Sequence, residues 1–200
     1  MNTDDVLARA FPDAPGDLSR LHGRLATAAE RDGVLDVAYR IADSPVGPLL
    51  LAATEQGLVR VAYAREDHDA VLQALADHVS PRILHAPGRL DLAARELQEY
   101  FGGRRRDFDL PLDWRLAAGF RRTVLSLLPG IGYGRTASYS AVARLAGSPR
   151  AVRAVGSACA ANPLPVVVPC HRVIRADGEL GGYLGGTEAK RTLLALEAAA

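Results

Sequence analysis

The sequence has only two cysteines, one methionine and one tryptophan, and no apolar run reaches the roughly 18 residues a membrane span needs. Cys159 and Cys170 are too few for a disulfide framework and too far apart for a Cys-x-x-Cys site, so both are expected as free thiols in a reducing compartment. No cysteine precedes Cys159, and His22, His68, His78 and His85 include no pair at a four-residue helical spacing, so no metal site is expected. There is no glycine-rich phosphate loop and no methyl-donor motif, which leaves no cofactor to expect. The first residues, Met1-Asn2-Thr3-Asp4-Asp5, are acidic where a signal peptide would be basic, and a cytoplasmic protein is expected.

What is present fits one or two globular domains with a substantial core: nearly half of the residues are hydrophobic and mean hydropathy is close to zero. The net charge of +1 conceals an asymmetry. Residues 1–109 hold 13 arginines and 18 acidic residues, whereas residues 110–200 hold 11 basic and 5 acidic ones, net −5 against +6. The basic half suits a polyanionic partner. Leu18, Leu21, Leu25 and Ala28 or Ala29 recur at helical steps after a turn at Pro12–Gly16. Residues 34–42, 48–53 and 58–63 read as three strands joined by short turns, hence an antiparallel meander, and residues 69–79 and 90–100 read as helices. Arg104-Arg105-Arg106, beside Asp107 and Asp109, reads as a solvated loop. Beyond Pro111, helices are expected over 115–128, 140–146, 150–161 and 187–197. The middle pair, joined by Gly147-Ser148-Pro149, outlines a helix-turn-helix. In its second helix Ala151, Ala154, Val155 and Ala158 fall on one side, and Gly156 and Ser157 are also small. That surface suits close approach to another helix as well as to DNA. Cys159, among alanines, reads as buried helix filler.

Val166–Val168 read as a short buried strand between prolines, with Cys170 at its end. Taken alone, a cysteine in an apolar run reads as a small core hydrophobe well before it reads as a nucleophile. A free thiol, with a pKa of roughly 8.5, needs a neighbouring base or cation to become a useful thiolate, and His171 and Arg172 come next in sequence. Pro-Cys-His-Arg-Val, with Asn162-Pro163 upstream and Gly182-Tyr183 downstream, closely resembles the active-site signature of the O6-alkylguanine-DNA alkyltransferases.

The resemblance runs from about Val34 to Glu197. It implies an α+β protein: a helical extension (1–32), a small sheet-and-helix domain (33–110) and a mostly helical, winged-helix-like catalytic domain (111–200). Its partner would be double-stranded DNA containing alkylated guanine, bound by a monomer. It implies that Cys170 accepts the alkyl group irreversibly, that His171 deprotonates it through a water, that Glu197 orients His171, and that Asn162 ties the recognition helix to the active-site segment. Arg153 would replace the extruded base in the stack, assisted by Tyr139, with Ser138, Ala151, Ala154 and Gly156 at the DNA surface. The backbone carbonyls of Cys170 and Val173, the Tyr183 ring, the Leu184 amide and the Gly181 loop would form the base pocket, with Leu184 standing where some relatives have serine. Base extrusion is a physical necessity here, because an O6 alkyl group inside a duplex is out of reach of in-line attack. Arg172 is expected to pair within the domain. Ada-type regulators carry an additional cysteine cluster, whose absence argues against that activity. O4-alkylthymine remains open as a further substrate. The rival readings are a non-catalytic lesion-binding relative, which would lack the cysteine, and a hydrolase using Cys170, His171 and Glu197 with repeated turnover.

Overall fold

The computed structural model describes residues 17–199. Helix α1 (Asp17–Arg31) leads into a sheet of β1 (Val37–Ala42), β2 (Leu49–Thr54) and β3 (Gly57–Tyr63). Helix α2 (His68–His78), strand β4 (Ile83–His85) and helix α3 (Asp91–Phe101) complete the N-terminal half. The strand order is β3-β2-β1-β4. The meander is antiparallel as expected, while β4 adds a parallel edge to β1 that the sequence reading missed. Three residues between Pro81 and Pro87 are too few to show an alternation. Every residue of β2 is buried, and its two faces serve different layers. Leu50 and Ala52 pack under α2 with Val71 and Leu75, whereas Leu49, Leu51 and Ala53 belong to a larger core shared with α3 and the C-terminal half. Each fully buried leucine contributes about 1.5–3 kcal/mol.

The structure refines two readings in this half. In helix α1, Leu21 and Leu25 are half exposed, and the helix packs on the body through Ala26 and Ala29. Their small side chains allow a close approach, pinned by the Glu30–Arg89 pair at 3.0 Å. The turn expected at Pro12–Gly16 and the Leu18 side chain lie outside the described residues. The arginine triplet is only partly solvated, because Arg105 Nε donates to Glu99 at 2.8 Å and the Arg106 guanidinium lies over the Tyr133 ring.

In the C-terminal half, a 3₁₀ turn (Trp114–Leu116) and α4 (Gly119–Leu127) replace the single helix expected from Arg115. The break falls at Ala117 and Ala118, whose backbones are extended, and the chain re-enters a helix through Gly119 at φ +55°. Helices α5 (Tyr139–Leu145) and α6 (Val152–Ala160) form the expected helix-turn-helix. Two-residue strands β5 (Ala137–Ser138) and β6 (Val173–Ile174) pair in parallel, and α7 (Gly186–Ala198) closes the chain. That short ladder fixes the site. It matches Ala137 with Val173 and Ser138 with Ile174, so the segment that leads into Tyr139 is tied to the strand that directly follows Cys170–Arg172, and Tyr139 comes within electrostatic reach of Cys170.

Candidate active site

Val166–Val168 are not a strand. Pro163, Pro165 and Pro169 have no N–H to offer a ladder, and the segment instead coils around the side chain of Asn162. Asn162 Oδ1 accepts from Leu164 N at 3.0 Å, and its Nδ2 donates to Val168 O at 2.9 Å and to Cys170 Sγ at 3.1 Å. Val166 is held at φ +72°, a costly conformation for a β-branched residue that the fully buried coil imposes. From outside, β3 braces this coil: Val61 N donates to Pro163 O at 2.8 Å.

Cys170, His171 and Arg172 form a buried 3₁₀ turn. Consecutive residues of such a turn point in different directions, so the thiol and the imidazole do not face the same partners. His171 Nε2 meets Glu197 Oε1 at 2.8 Å, whereas His171 Nδ1 has no hydrogen-bond partner among the described residues. With Nε2–H donating to the carboxylate, Nδ1 keeps a lone pair able to receive a proton. Glu197 collects further donors: Tyr100 OH at 2.7 Å, Arg172 Nη2 at 2.9 Å and Gly134 N at 3.2 Å. Arg172 also donates to Ile131 O at 2.6 Å, which is the internal pairing expected of it.

The electrostatics follow from burial and pairing. Burial pushes the Cys170 thiol up to about 11, against the lowering effect of Asn162 and the Lys190 charge, so the resting group is a thiol. Burial would raise the Glu197 carboxyl, but the hydrogen bonds from His171 and Arg172 outweigh it and hold it at about 2. His171 is lowered by burial, opposed by Glu197, and is therefore neutral near pH 7.

A cavity of about 530 Å³ adjoins this turn, with walls that include Tyr139, Gly156, Gly182, Tyr183 and Leu184. Cys170 is almost fully buried behind them, within electrostatic reach of both tyrosines. The Tyr139 ring lies between two glycines. A Cβ on Gly181 would come within 3.1 Å of its hydroxyl, and Gly156 faces its other edge at 4.0 Å. Leu184 lines the cavity, and its N–H makes no hydrogen bond among the described residues. Val173 O already accepts from Lys190 Nζ at 2.7 Å and Cys170 O from Val173 N, which leaves each carbonyl one further lone pair. Ser138 Oγ caps α5 by accepting from Ala141 N at 3.1 Å. On α6, the predicted small-residue face divides: Val155 and Ala158 are buried, whereas Arg153, Ala154 and Ser157 are exposed and Ala151 and Gly156 are half-buried.

Sequence reading missed four contributors. Tyr100 reaches Glu197 from α3, and Lys190, the only lysine in the chain, is fully buried and staples β6 to the 180s loop through Val173 O and Leu180 O. Tyr63 pairs its hydroxyl with that of Tyr183 at 2.8 Å, and Arg65 lines the cavity. Only the lone lysine among 23 arginines carried a signal in the sequence.

Comparison with known proteins matches residues 37–114 to the 6-O-methylguanine DNA methyltransferase ribonuclease-like domain and residues 119–199 to the DNA-binding domain of the same family. The methylated-DNA–protein-cysteine methyltransferase of Mycolicibacterium paratuberculosis is 40% identical over 161 residues, covering 80% of this chain and 92% of the relative. Escherichia coli Ada, a bifunctional transcriptional activator and DNA repair enzyme, is 38% identical over 202 residues, which cover 98% of this chain and 56% of Ada. That alignment also takes in the N-terminal stretch, which the family models, beginning at residue 37, leave out. The structure of the Mycobacterium tuberculosis O6-methylguanine methyltransferase superposes with a TM-score of 0.71 at 39% identity, over 82% of this chain and 93% of that one. With both domains matched in order, the chain belongs to the O6-methylguanine-DNA methyltransferase family.

Proposed function

We propose that this chain is a DNA repair protein that binds duplex DNA containing O6-alkylguanine, extrudes the damaged base into the cavity beside Cys170 and transfers the alkyl group irreversibly to its own sulfur. The observation that carries this reading is the thiol of Cys170, tied to Asn162 at 3.1 Å behind a purine-sized cavity and followed directly by the His171–Glu197 pair. His171 Nδ1 receives the thiol proton through one water, and Glu197 stabilises the imidazolium that forms. Sulfur then attacks the alkyl carbon, the carbon–O6 bond breaks, and the leaving guanine takes up a proton to end as the ordinary N1–H base. The thioether product has no neighbouring group able to cleave it.

Asn162 positions the sulfur. Tyr139 and Arg153 act in extrusion, with Ser138, Ala151, Ala154 and Gly156 at the DNA surface. Tyr183, Gly181, the Val173 carbonyl and the Leu184 amide hold the base, the last through O6. A Mycobacterium tuberculosis relative crystallised in complex with DNA, whose structure superposes on this one with a TM-score of 0.69, supports the choice of partner. The division at residues 110 and 111, a monomeric state and a cytoplasmic location belong to the same reading; among the described residues no helix is long and apolar enough to cross a membrane.

Incubation with excess duplex containing O6-methylguanine tests the reaction. One repaired base per protein molecule, with a protein mass gain of one CH₂, is the expected result. Repeated turnover with an unmodified protein would instead identify the hydrolase.

A further inference from the structure

The N-terminal half reaches the cavity through the turn that follows β3. Tyr63 lies against the 183–186 segment so closely that a Cβ on Gly185 would stand 2.6 Å from its ring, and the Arg65 guanidinium rests on Gly186. Arg65 and Glu66 both line the cavity. Their charges are used differently. The Glu66 carboxylate is bound by Arg60 and by Tyr63 N, and Asp67 is taken up in capping α2, where it accepts from Asp69 N. Arg65 is exposed and makes no hydrogen bond or ion pair among the described residues. Its neighbours do not share this state: Arg40 pairs with Asp91, Arg60 with Glu66, Arg82 with Asp36 and Arg89 with Glu30. The cavity rim therefore carries an uncompensated guanidinium supplied by the half of the molecule whose overall charge is negative.

A nucleotide swung into this cavity places its base inside and its phosphates at the rim. A guanidinium there matches a phosphate in both charge and geometry. We propose that Arg65 binds a phosphate flanking the extruded nucleotide, so that the N-terminal half takes part in holding the flipped strand. The proposal rests on the repair reading above and adds a specificity-determining residue outside the helix-turn-helix.

The test compares wild type, Arg65→Ala and Arg65→Lys as full-length proteins. The second-order rate of methyl transfer is measured with an O6-methylguanine duplex and with the free base O6-methylguanine, and binding is measured with the undamaged duplex. Arg65→Ala is expected to slow the duplex reaction about tenfold, with Arg65→Lys between it and wild type. The slope of log rate against log salt should become shallower by about 1. Reaction with the free base and binding to undamaged duplex should stay within twofold. No loss on the duplex, an equal loss on the free base, or weakened binding to undamaged DNA would each overturn the assignment. A wild type reacting with neither substrate would overturn the repair reading and this proposal with it. A reactive wild type with an unaffected Arg65→Ala overturns this proposal alone.

Discussion

The two cysteines occupy neighbouring regions of similar dryness and are treated very differently. Cys159, near the end of α6, is 6% exposed, and burial pushes its thiol up to about 12; Cys170, opening the 3₁₀ turn, is 2% exposed and pushed up to about 11. Neither burial nor the height of the shift separates them. What separates them is what the surrounding chain attaches. Cys170 receives the Asn162 amide on its sulfur and is followed by an imidazole whose free nitrogen is backed by a carboxylate, whereas Cys159 has the apolar company of α4, α5 and α6. A thiol this costly to ionise is inert until a base takes its proton during attack, which suits a protein that must spend its one nucleophile on the correct substrate.

The comparison breaks most visibly at His171. Replacing His171 with Gln removes the base while leaving the sulfur in place, and the methyl-transfer rate should fall by about 10²- to 10⁴-fold. In the wild type, because burial lowers the His171 pKa, the rate should hold constant as pH drops through 6.5 and fall only at lower pH; a fall centred at 6.5 or above would remove the buried imidazole from the base role.

Glu197 bears on stability as well as rate. Glu197→Gln leaves the Arg172 guanidinium buried against an uncharged partner, and a loss of about 3–5 kcal/mol is expected in urea denaturation. In the wild type the folded carboxylate stays ionised down to about pH 2, while the unfolded one takes up a proton near 4.5. Stability is therefore fully supplied by this group above about pH 4.5 and drains away as pH falls towards 2. His171 acts in the same direction at higher pH, since the unfolded imidazole protonates first. The Gln variant should show a shallower acid limb below pH 4.5.

Asn162→Ala sharpens the comparison by making the surroundings of Cys170 more like those of Cys159. It removes the amide from the sulfur, leaves the Leu164 N–H without its partner and leaves the Val168 carbonyl with the Cys170 N–H alone, a loss of about 1–3 kcal/mol. Methyl transfer should slow by less than in the His171 variant, and reaction of Cys170 with a small alkylating reagent should shift to higher pH. An unchanged pH dependence would show that Asn162 holds the backbone only.

Much of this was legible from residue order, because the meander, the helical hairpin and the Pro-Cys-His-Arg-Val string are local features. The continuous apolar run of β2 and the Gly147 turn declare themselves within a few residues. What escaped was set by contacts between distant segments. Val166–Val168 looked like a strand because three valines suit one, and the coil around Asn162 depends on prolines denying it a ladder. The leucines of α1 show the helical period, but only the folded chain reveals that Ala26 and Ala29 are what the body of the protein admits. Tyr100, Tyr63 and Arg65 reach the site across the interface between the two halves, at sequence separations no periodicity reveals. Lys190 was visible as the only lysine, but not as the residue bridging β6 to the pocket loop.

The central claim is that attachment and not burial selects the reactive sulfur, and site-resolved mass spectrometry after reaction with an O6-methylguanine duplex tests it most directly. The account predicts a methyl group on the Cys170 peptide, none on the Cys159 peptide, and none anywhere in Cys170→Ser. Methylation of Cys159, or an unmodified Cys170 after the duplex has been repaired, would contradict it.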